Sequence, residues 1–184
     1  MLNPDSVRIR VGIEADAPAL AAFAARTFQE TFGPHNRPED LHAHLGKAFG
    51  ITQQAQELND PNMVTLLAYD DATLVAFAQV RRQDPPQGIV IVRPIELYRF
   101  YVDRQAQGKG VAQRLMLAVH AQARAFDGHH LWLGVWERNP RAIAFYKKVG
   151  FDDRGSHDFF VGSDRQTDRV FVAPVRANGS DAIG

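Results

Sequence analysis

The chain of 184 residues has no cysteine, which excludes disulfides, thiolate zinc sites and a cysteine nucleophile. It has no excess of either charge. With 21 Lys and Arg against 21 Asp and Glu there is no global basic surface of the kind that draws nucleic acid, although a single site can still be basic. No apolar run approaches the roughly 20 residues of a membrane-spanning helix, and the N-terminal "MLNPDSVRIR" lacks the apolar core of a secretory signal. There is no H-E-x-x-H pattern, and His42 and His44, two apart on a predicted helix, do not face each other, so no metal site is expected. What remains is an ordinary composition and enough chain for one domain with a real core. A cytoplasmic protein is the expectation, with residues 1–176 as one domain and 177–184 as a small polar tail.

Periodicity supplies the elements. Val7, Ile9 and Val11 alternate as a short strand, and from Asp16 the spacing of Leu20, Phe23, Ala24, Thr27, Phe28 and Thr31 becomes helical up to about Phe32. A second helix is expected from Pro38 to Phe49, and "ITQQAQELNDPN" suits a further short one. Val64–Tyr69 and Thr73–Arg82 flank "DDA" as a hairpin, and "RQDPPQG" is an irregular loop. Ile95–Asp103 is rich in aromatic and β-branched residues, as in a central strand. A helix follows from about Gly110 to Phe126, then a buried strand in "HHLWLGV", a helix from Asn139, and strands Phe151–Val161 and Arg169–Val175 around a "GSDRQ" turn. The order β-α-α-β-β-β-α-β-α-β-β describes a mixed α/β (α+β) domain around one sheet.

The stretch "QGKGVA", Gln107–Ala112, lies between a strand and a helix. It is not a Walker A loop, because Lys109 precedes Gly110 and no Ser or Thr follows. It is not a dinucleotide loop either, since Gln113 stands where G-x-G-x-x-G needs its third glycine. The two glycines permit a tight turn, and the orphan amides and dipole of the following helix attract an anion. A turn whose glycines only solve a backbone problem is the alternative.

The stretch is also similar to the [QR]-x-x-G-x-[GA] loop of the GNAT acyl-CoA N-acetyltransferase superfamily, and "NPRAIAFYKKVGF", Asn139–Phe151, resembles that family's second signature at every defined position. The stretches "TFQETFGPHNRPEDL", "ELYRFYVDRQAQGKG" and "HDFFVGSDRQTD" further resemble bacterial spermidine/spermine acetyltransferases. The resemblance implies a single GNAT-type domain, with a central mixed, mostly antiparallel sheet of six to seven strands flanked by helices. It implies acetyl-CoA as co-substrate, a small amine as acceptor, direct attack in a ternary complex, and a fold that often pairs as homodimers. It assigns the pyrophosphate to the backbones of Gln107, Gly108, Lys109, Gly110, Val111 and Ala112, with Gln113 beside them. Pantetheine is assigned to Tyr101, Val102 and Asp103, with the amide near Val102 polarising the thioester carbonyl. Asn139 is implied as a pantetheine ligand, yet Asn before Pro140 is also a standard helix cap.

The chemistry adds two demands. An alkylammonium with a pKa of about 10.4 must lose a proton before it attacks, and the departing thiolate needs one back. Tyr146 is the candidate acid, its rival role being a core aromatic on the stripe Ala142, Phe145, Tyr146 and Val149. Glu96, a carboxylate in an apolar strand, is the candidate base, with a salt bridge as its rival role and Glu137 as second choice. Strict alternation places Glu96, Tyr98, Phe100 and Val102 on one face, unless a bulge breaks the parity. For the acceptor side Phe28, Thr31, Phe32, Asn36 and Asp40 are candidates, with Tyr98, His157, Asp164 and Asp168 as further ones. A protein N-terminus, an amino acid, or a CoA-binding module without catalysis remain alternative functions.

Overall fold

The structure is a computed structural model that describes residues 6–161 and 164–177. In chain order the elements are β1 Arg8–Val11, α1 Ala17–Phe32, α2 Pro38–Phe49, α3 Ile51–Leu58, β2 Met63–Asp70, β3 Thr73–Arg81, β4 Pro94–Val102, α4 Val111–Ala125, β5 His130–Trp136, α5 Pro140–Lys148, β6 Asp152–Val161 and β7 Asp164–Pro174. The short helix expected in "ITQQAQELNDPN" is α3, which adds a third helix before β2. Residues 162–163 of the expected turn and 178–184 of the expected tail lie outside the described residues, as does the side chain of Asp164.

The seven strands form one sheet in the order β1-β2-β3-β4-β5-β7-β6. Among the described strands only β4 and β5 run parallel. Antiparallel neighbours need only short turns, whereas this parallel pair needs a crossover, which α4 provides. The pair is also the shortest seam, because β4 meets β5 only at Pro94–Glu96 against His130–Trp132. Beyond Trp132 the strand β5 stays with β7, from Leu133 opposite Phe171 to Trp136 opposite Asp168. Meanwhile β4 stays with β3 through a bulge, in which Leu97 faces Val80 and Arg99 faces Gln79, leaving Tyr98 as the extra residue. A bulge bends its strand and sharpens its twist, and here it marks the point where the sheet splays open.

Each face is covered by apolar helix stripes. Leu115, Met116, Val119 and Ala123 of α4 pack with Ala76, Ala78, Leu97 and Leu133 on one face. Leu20, Phe23 and Phe28 of α1 pack with Phe49, Leu67 and Phe77 on the other. Farther along, Ile89 and Ile91 of the loop after β3 cover Trp132, Val170 and Val172. The bulge shifts the parity of β4, so that Phe100 and Val102 join Leu97 in the α4-side core while Tyr101 packs with the α1-side cluster.

One buried ion pair ties α3 to the sheet. Arg99 donates from Nη1 to Glu57 Oε2 at 2.5 Å and to Gln79 Oε1 at 2.7 Å, and from Nη2 to the Ala48 carbonyl at 3.2 Å. Gln79 Nε2 donates to the same Glu57 oxygen at 2.9 Å, and the guanidinium lies 4.7 Å from the Phe49 ring centroid. Among the described residues no helix is long and apolar enough to cross a membrane.

Candidate active site

The splay between β4 and β5 opens a cleft of about 550 Å³. Its floor is the edge of β4 from Leu97 to Val102, which has no strand partner on the β5 side past Glu96. An unpaired strand edge offers backbone donors and acceptors to an extended ligand. At one end of this floor lies the glycine turn. Asp103 accepts from the Gln105 amide at 2.8 Å and starts a 3-10 turn at Arg104–Ala106. Gly108 and Gly110 then take φ of 74° and 80°, left-handed values that an L side chain resists. Gly110 caps α4 without a side chain, so the first-turn amides of Val111, Ala112 and Gln113 have no cap acceptor and are left for a ligand anion. Val111 is anchored in the core by its side chain, while Gln107, Gly108, Ala112 and Gln113 line the cleft. Lys109 is exposed at its margin.

The two faces of the opened sheet give the cleft two different walls. On the α4–α5 side stand Phe100, Phe145 and Tyr146. Tyr146 is 8% exposed, edge-on to Phe151 at 5.7 Å and to Phe100 at 6.3 Å. Burial pushes its phenol above the usual tyrosine range, so it holds its proton at neutral pH. Asn139 also lines this wall, with Oδ1 accepting from the Ala142 amide at 3.1 Å as the cap of α5. The cap occupies its acceptor and leaves the amide nitrogen for a ligand. The exposed Arg104 and Arg141 complete this side.

On the α1–β7 side the wall is aromatic. Phe28 stacks on Phe32 with ring centroids 4.4 Å apart, Phe32 meets Trp136 at 5.5 Å, and Tyr101 lies 6.4 Å from Phe28. Thr31 lines the same wall and donates back to the Thr27 carbonyl at 3.0 Å. Two carboxylates reach this side, Glu30 and Asp168. Burial pushes Asp168 up to about 6, partly opposed by His157 nearby.

Several sequence expectations land elsewhere. Glu96 is not among the residues lining the cleft. It is buried in an ion pair with Arg81, which opposes the rise that burial imposes on its carboxyl. The bulge also separates it from the face of Phe100 and Val102 that alternation predicts. Glu137 is exposed and its amide donates to the Thr167 carbonyl at 3.1 Å. Asp103 is consumed by the fold, with its amide on the Val75 carbonyl at 2.8 Å and its carboxylate on Arg26 at 2.7 Å, so it has no group left for pantetheine. Asn36 staples the turn after α1 to β7, donating to the Phe32 carbonyl at 2.7 Å and accepting from Gln166 at 2.6 Å. Asp40 pairs with Arg37 at 2.8 Å. Tyr98 does line the cleft, between Arg81 at 3.6 Å and Arg99 at 4.4 Å from its ring centroid. Trp136, Arg104 and Arg141 were not singled out from the sequence. Trp136 and Arg104 have only their adjacency to the two signature stretches as a signal there, and Arg141 lies inside the second at a position the signature leaves undefined. No group of three or more His, Cys, Asp or Glu placed to hold a metal occurs among the described residues.

A cleft that opens through a sheet, with uncapped helix-start amides on one side and carboxylates on the other, has room and chemistry for an anionic and a cationic ligand on its two faces. The acetyltransferase (GNAT) family profile matches residues 20–151. An uncharacterised N-acetyltransferase of Mycobacterium tuberculosis is 34% identical over 157 residues, covering 85% of this chain and 96% of that protein. A spermine/spermidine N(1)-acetyltransferase of Bacillus subtilis is 33% identical over 64 residues, covering 34% of this chain and 42% of that protein. In fold the chain is similar to the PaiA N-acetyltransferase of Thermoplasma acidophilum, solved in complex with coenzyme A, with TM-score 0.75 and 19% identity over 91% of this chain and 98% of that one. The chain belongs to the acetyltransferase (GNAT) family, and it is an acetyl-CoA-dependent N-acetyltransferase of that type.

Proposed function

We propose that the protein acetylates a small primary amine, with acetyl-CoA held on the α4–α5 side of the splayed sheet and the amine entering from the α1–β7 side. The observation that carries this is the opposition of the two walls across the β4–β5 gap. The first-turn amides of α4 and the residues Gln107, Gly108, Ala112 and Gln113 would hold the pyrophosphate, with Arg104 and Arg141 adding positive charge. The free edge at Tyr101 and Val102 would receive pantetheine as an added strand. Tyr146, protonated and buried on that side, would return a proton to the sulfur. The amine would attack the thioester carbonyl directly, forming the C–N bond as the C–S bond breaks, in a ternary complex without an acyl-enzyme.

The acceptor class we favour is a polyamine. Phe28, Phe32, Tyr101 and Trp136 present faces that attract alkylammonium groups, and Asp168 would supply negative charge, with Glu30, paired to Arg26 at 3.1 Å, on the same wall. The Bacillus subtilis relative, similar over 64 residues, points the same way. An amine panel with free CoA as the readout tests it. Turnover on spermidine and related amines, with none on peptides, is expected. Turnover on peptide N-termini alone would move the acceptor to proteins, and CoA binding without any turnover would make the chain a binding module.

The glycine turn has its own test. Gly110→Ala forces a side chain into a left-handed position at a cost of about 1–2 kcal/mol. It is expected to weaken acetyl-CoA binding several-fold in calorimetric titration while the circular dichroism spectrum is unchanged. Unaltered binding would detach the turn from the pyrophosphate.

A further inference from the structure

Gly134 is an anomaly in β5. A glycine between Leu133 and Val135 weakens a central strand, and its usual cause is the close approach of something that a side chain would block. Here the blocking groups are identifiable. A Cβ added at Gly134 would lie 3.0 Å from Asp168 Oδ2 and 3.0 Å from His157 Nε2. Asp168 sits opposite Trp136 on one side and opposite His157 on the other, so β7 presents it between the acceptor wall and the edge strand β6. It lines the cleft and is 8% exposed, and its Oδ1 is buried with no hydrogen-bond partner. A buried, unpartnered carboxylate oxygen is costly unless a ligand completes it.

His157 is arranged to follow it. Its Nδ1 lies 3.0 Å from the Asp158 carbonyl, which only accepts, so in the neutral ring the proton belongs on Nδ1 and Nε2 carries the lone pair. Nε2 is the atom beside Gly134 together with the Asp168 carboxylate. His157 itself is only half-buried, on β6, the edge strand of the sheet among the described residues, and so communicates with water.

Resting on the transferase function proposed above, we infer that Asp168 is the group that takes the proton from the incoming ammonium, and that His157 passes this proton to solvent. The ammonium gives one proton to the Asp168 carboxylate, and the neutral amine attacks the thioester carbonyl. The C–N bond forms and the C–S bond breaks. The remaining surplus proton on nitrogen ends on the CoA sulfur by way of Tyr146, and the proton on Asp168 leaves through His157 Nε2. One proton reaches water per acetyl group transferred, as the stoichiometry of an ammonium and a thioester going to an amide, a thiol and a proton requires. Glu96 does not fill this role, because Arg81 holds it as an ion pair away from the cleft wall.

The titratable groups acting on Asp168 are His157 from β6 and Tyr101 from β4, with Glu30 of α1 on the same cleft. His157 also acts on Glu96, whose carboxyl burial pushes up against the opposing pull of Arg81, His157 and Arg99, while β5 brings Gly134 and Trp136. A base of this kind must be deprotonated to work, so kcat/KM for the amine is expected to fall as pH drops below about 6.

The experiment compares wild type, Asp168→Asn, Glu96→Gln and His157→Ala on the best amine of the panel, from pH 5 to 9. Asp168→Asn is expected to lose on the order of 100-fold in kcat and to lose the acid limb, with the KM for acetyl-CoA unchanged. Glu96→Gln is expected to keep that limb. His157→Ala is expected to lose less, and to regain rate when imidazole is added, a rescue that Asp168→Asn does not show. Folding is controlled separately. The Asp168 carboxyl titrates at about 6 in the folded protein, against about 3.9 when unfolded. The folded state therefore binds the extra proton, and wild-type stability falls as pH rises through that window. Asp168→Asn removes this loss, so its melting temperature above pH 6 is expected to match or exceed that of wild type. Full turnover and an intact acid limb in Asp168→Asn would overturn the inference and leave the transferase function standing. A wild type that binds acetyl-CoA but acetylates no amine would overturn both.

Discussion

Tyr146→Phe is expected to lower kcat by on the order of 100-fold, with acetyl-CoA affinity nearly unchanged. The substitution removes one oxygen and keeps the ring, so the contacts with Phe100, Phe145 and Phe151 survive. Burial keeps the phenol protonated at neutral pH, which makes it a donor in the ground state of the reaction and not a base. On the proposed mechanism, what the variant lacks is a proton for the leaving sulfur. The loss is expected to shrink with an acyl donor whose leaving thiol is more acidic, because such a thiolate departs without help. Single-turnover rates with the two donors check this. An unchanged kcat with acetyl-CoA would leave Tyr146 as a packed core aromatic.

The second large effect concerns the fold. Glu57→Ala is expected to cost about 3–5 kcal/mol, because it strands the Arg99 guanidinium in a site where both residues are 7% exposed. For a domain of this size that is a drop in melting temperature on the order of 10 °C. Gln79 and the Ala48 carbonyl remain to Arg99, but neither carries charge. Replacing both ions with apolar residues, as Glu57→Leu with Arg99→Met, is expected to recover most of the loss, since the burial penalty of both charges disappears. Chemical denaturation of the two variants and wild type measures it. A double variant as unstable as the single one would show that the pair itself, and not the stranded charge, matters. Arg99 also lines the cleft, so the double variant will report in its KM values how far this pair shapes the site.

The sequence exposes the parts of this account that depend on local chemistry. The helix α2 runs from Pro38 to Phe49, as its spacing predicts, and the glycine turn and the cap at Asn139 are local backbone solutions whose residues announce them. The exceptions are tertiary. The polar "GSDRQ" reads as a turn, which sets the expected start of the last strand at Arg169. Pairing with β6, and with β5 from Asp168 onward, extends it back to Asp164 and buries Asp168 inside the sheet. That is why Asp168, one of the further acceptor-side candidates, stands on the cleft wall. Glu96 fails in the opposite sense. Its apolar neighbours announce burial correctly, but its Arg81 partner lies across the β3–β4 ladder, and the Tyr98 bulge alters which side chains share its face. The Glu57–Arg99 pair spans 42 positions and leaves no trace in either local pattern.

The most direct test of the central claim is an initial-rate matrix varying acetyl-CoA and amine together. If the two substrates meet through the gap between β4 and β5, double-reciprocal plots will intersect and mass spectrometry of enzyme incubated with acetyl-CoA alone will show no added acetyl group. Parallel lines, with an acetylated enzyme that is discharged by the amine, would contradict it.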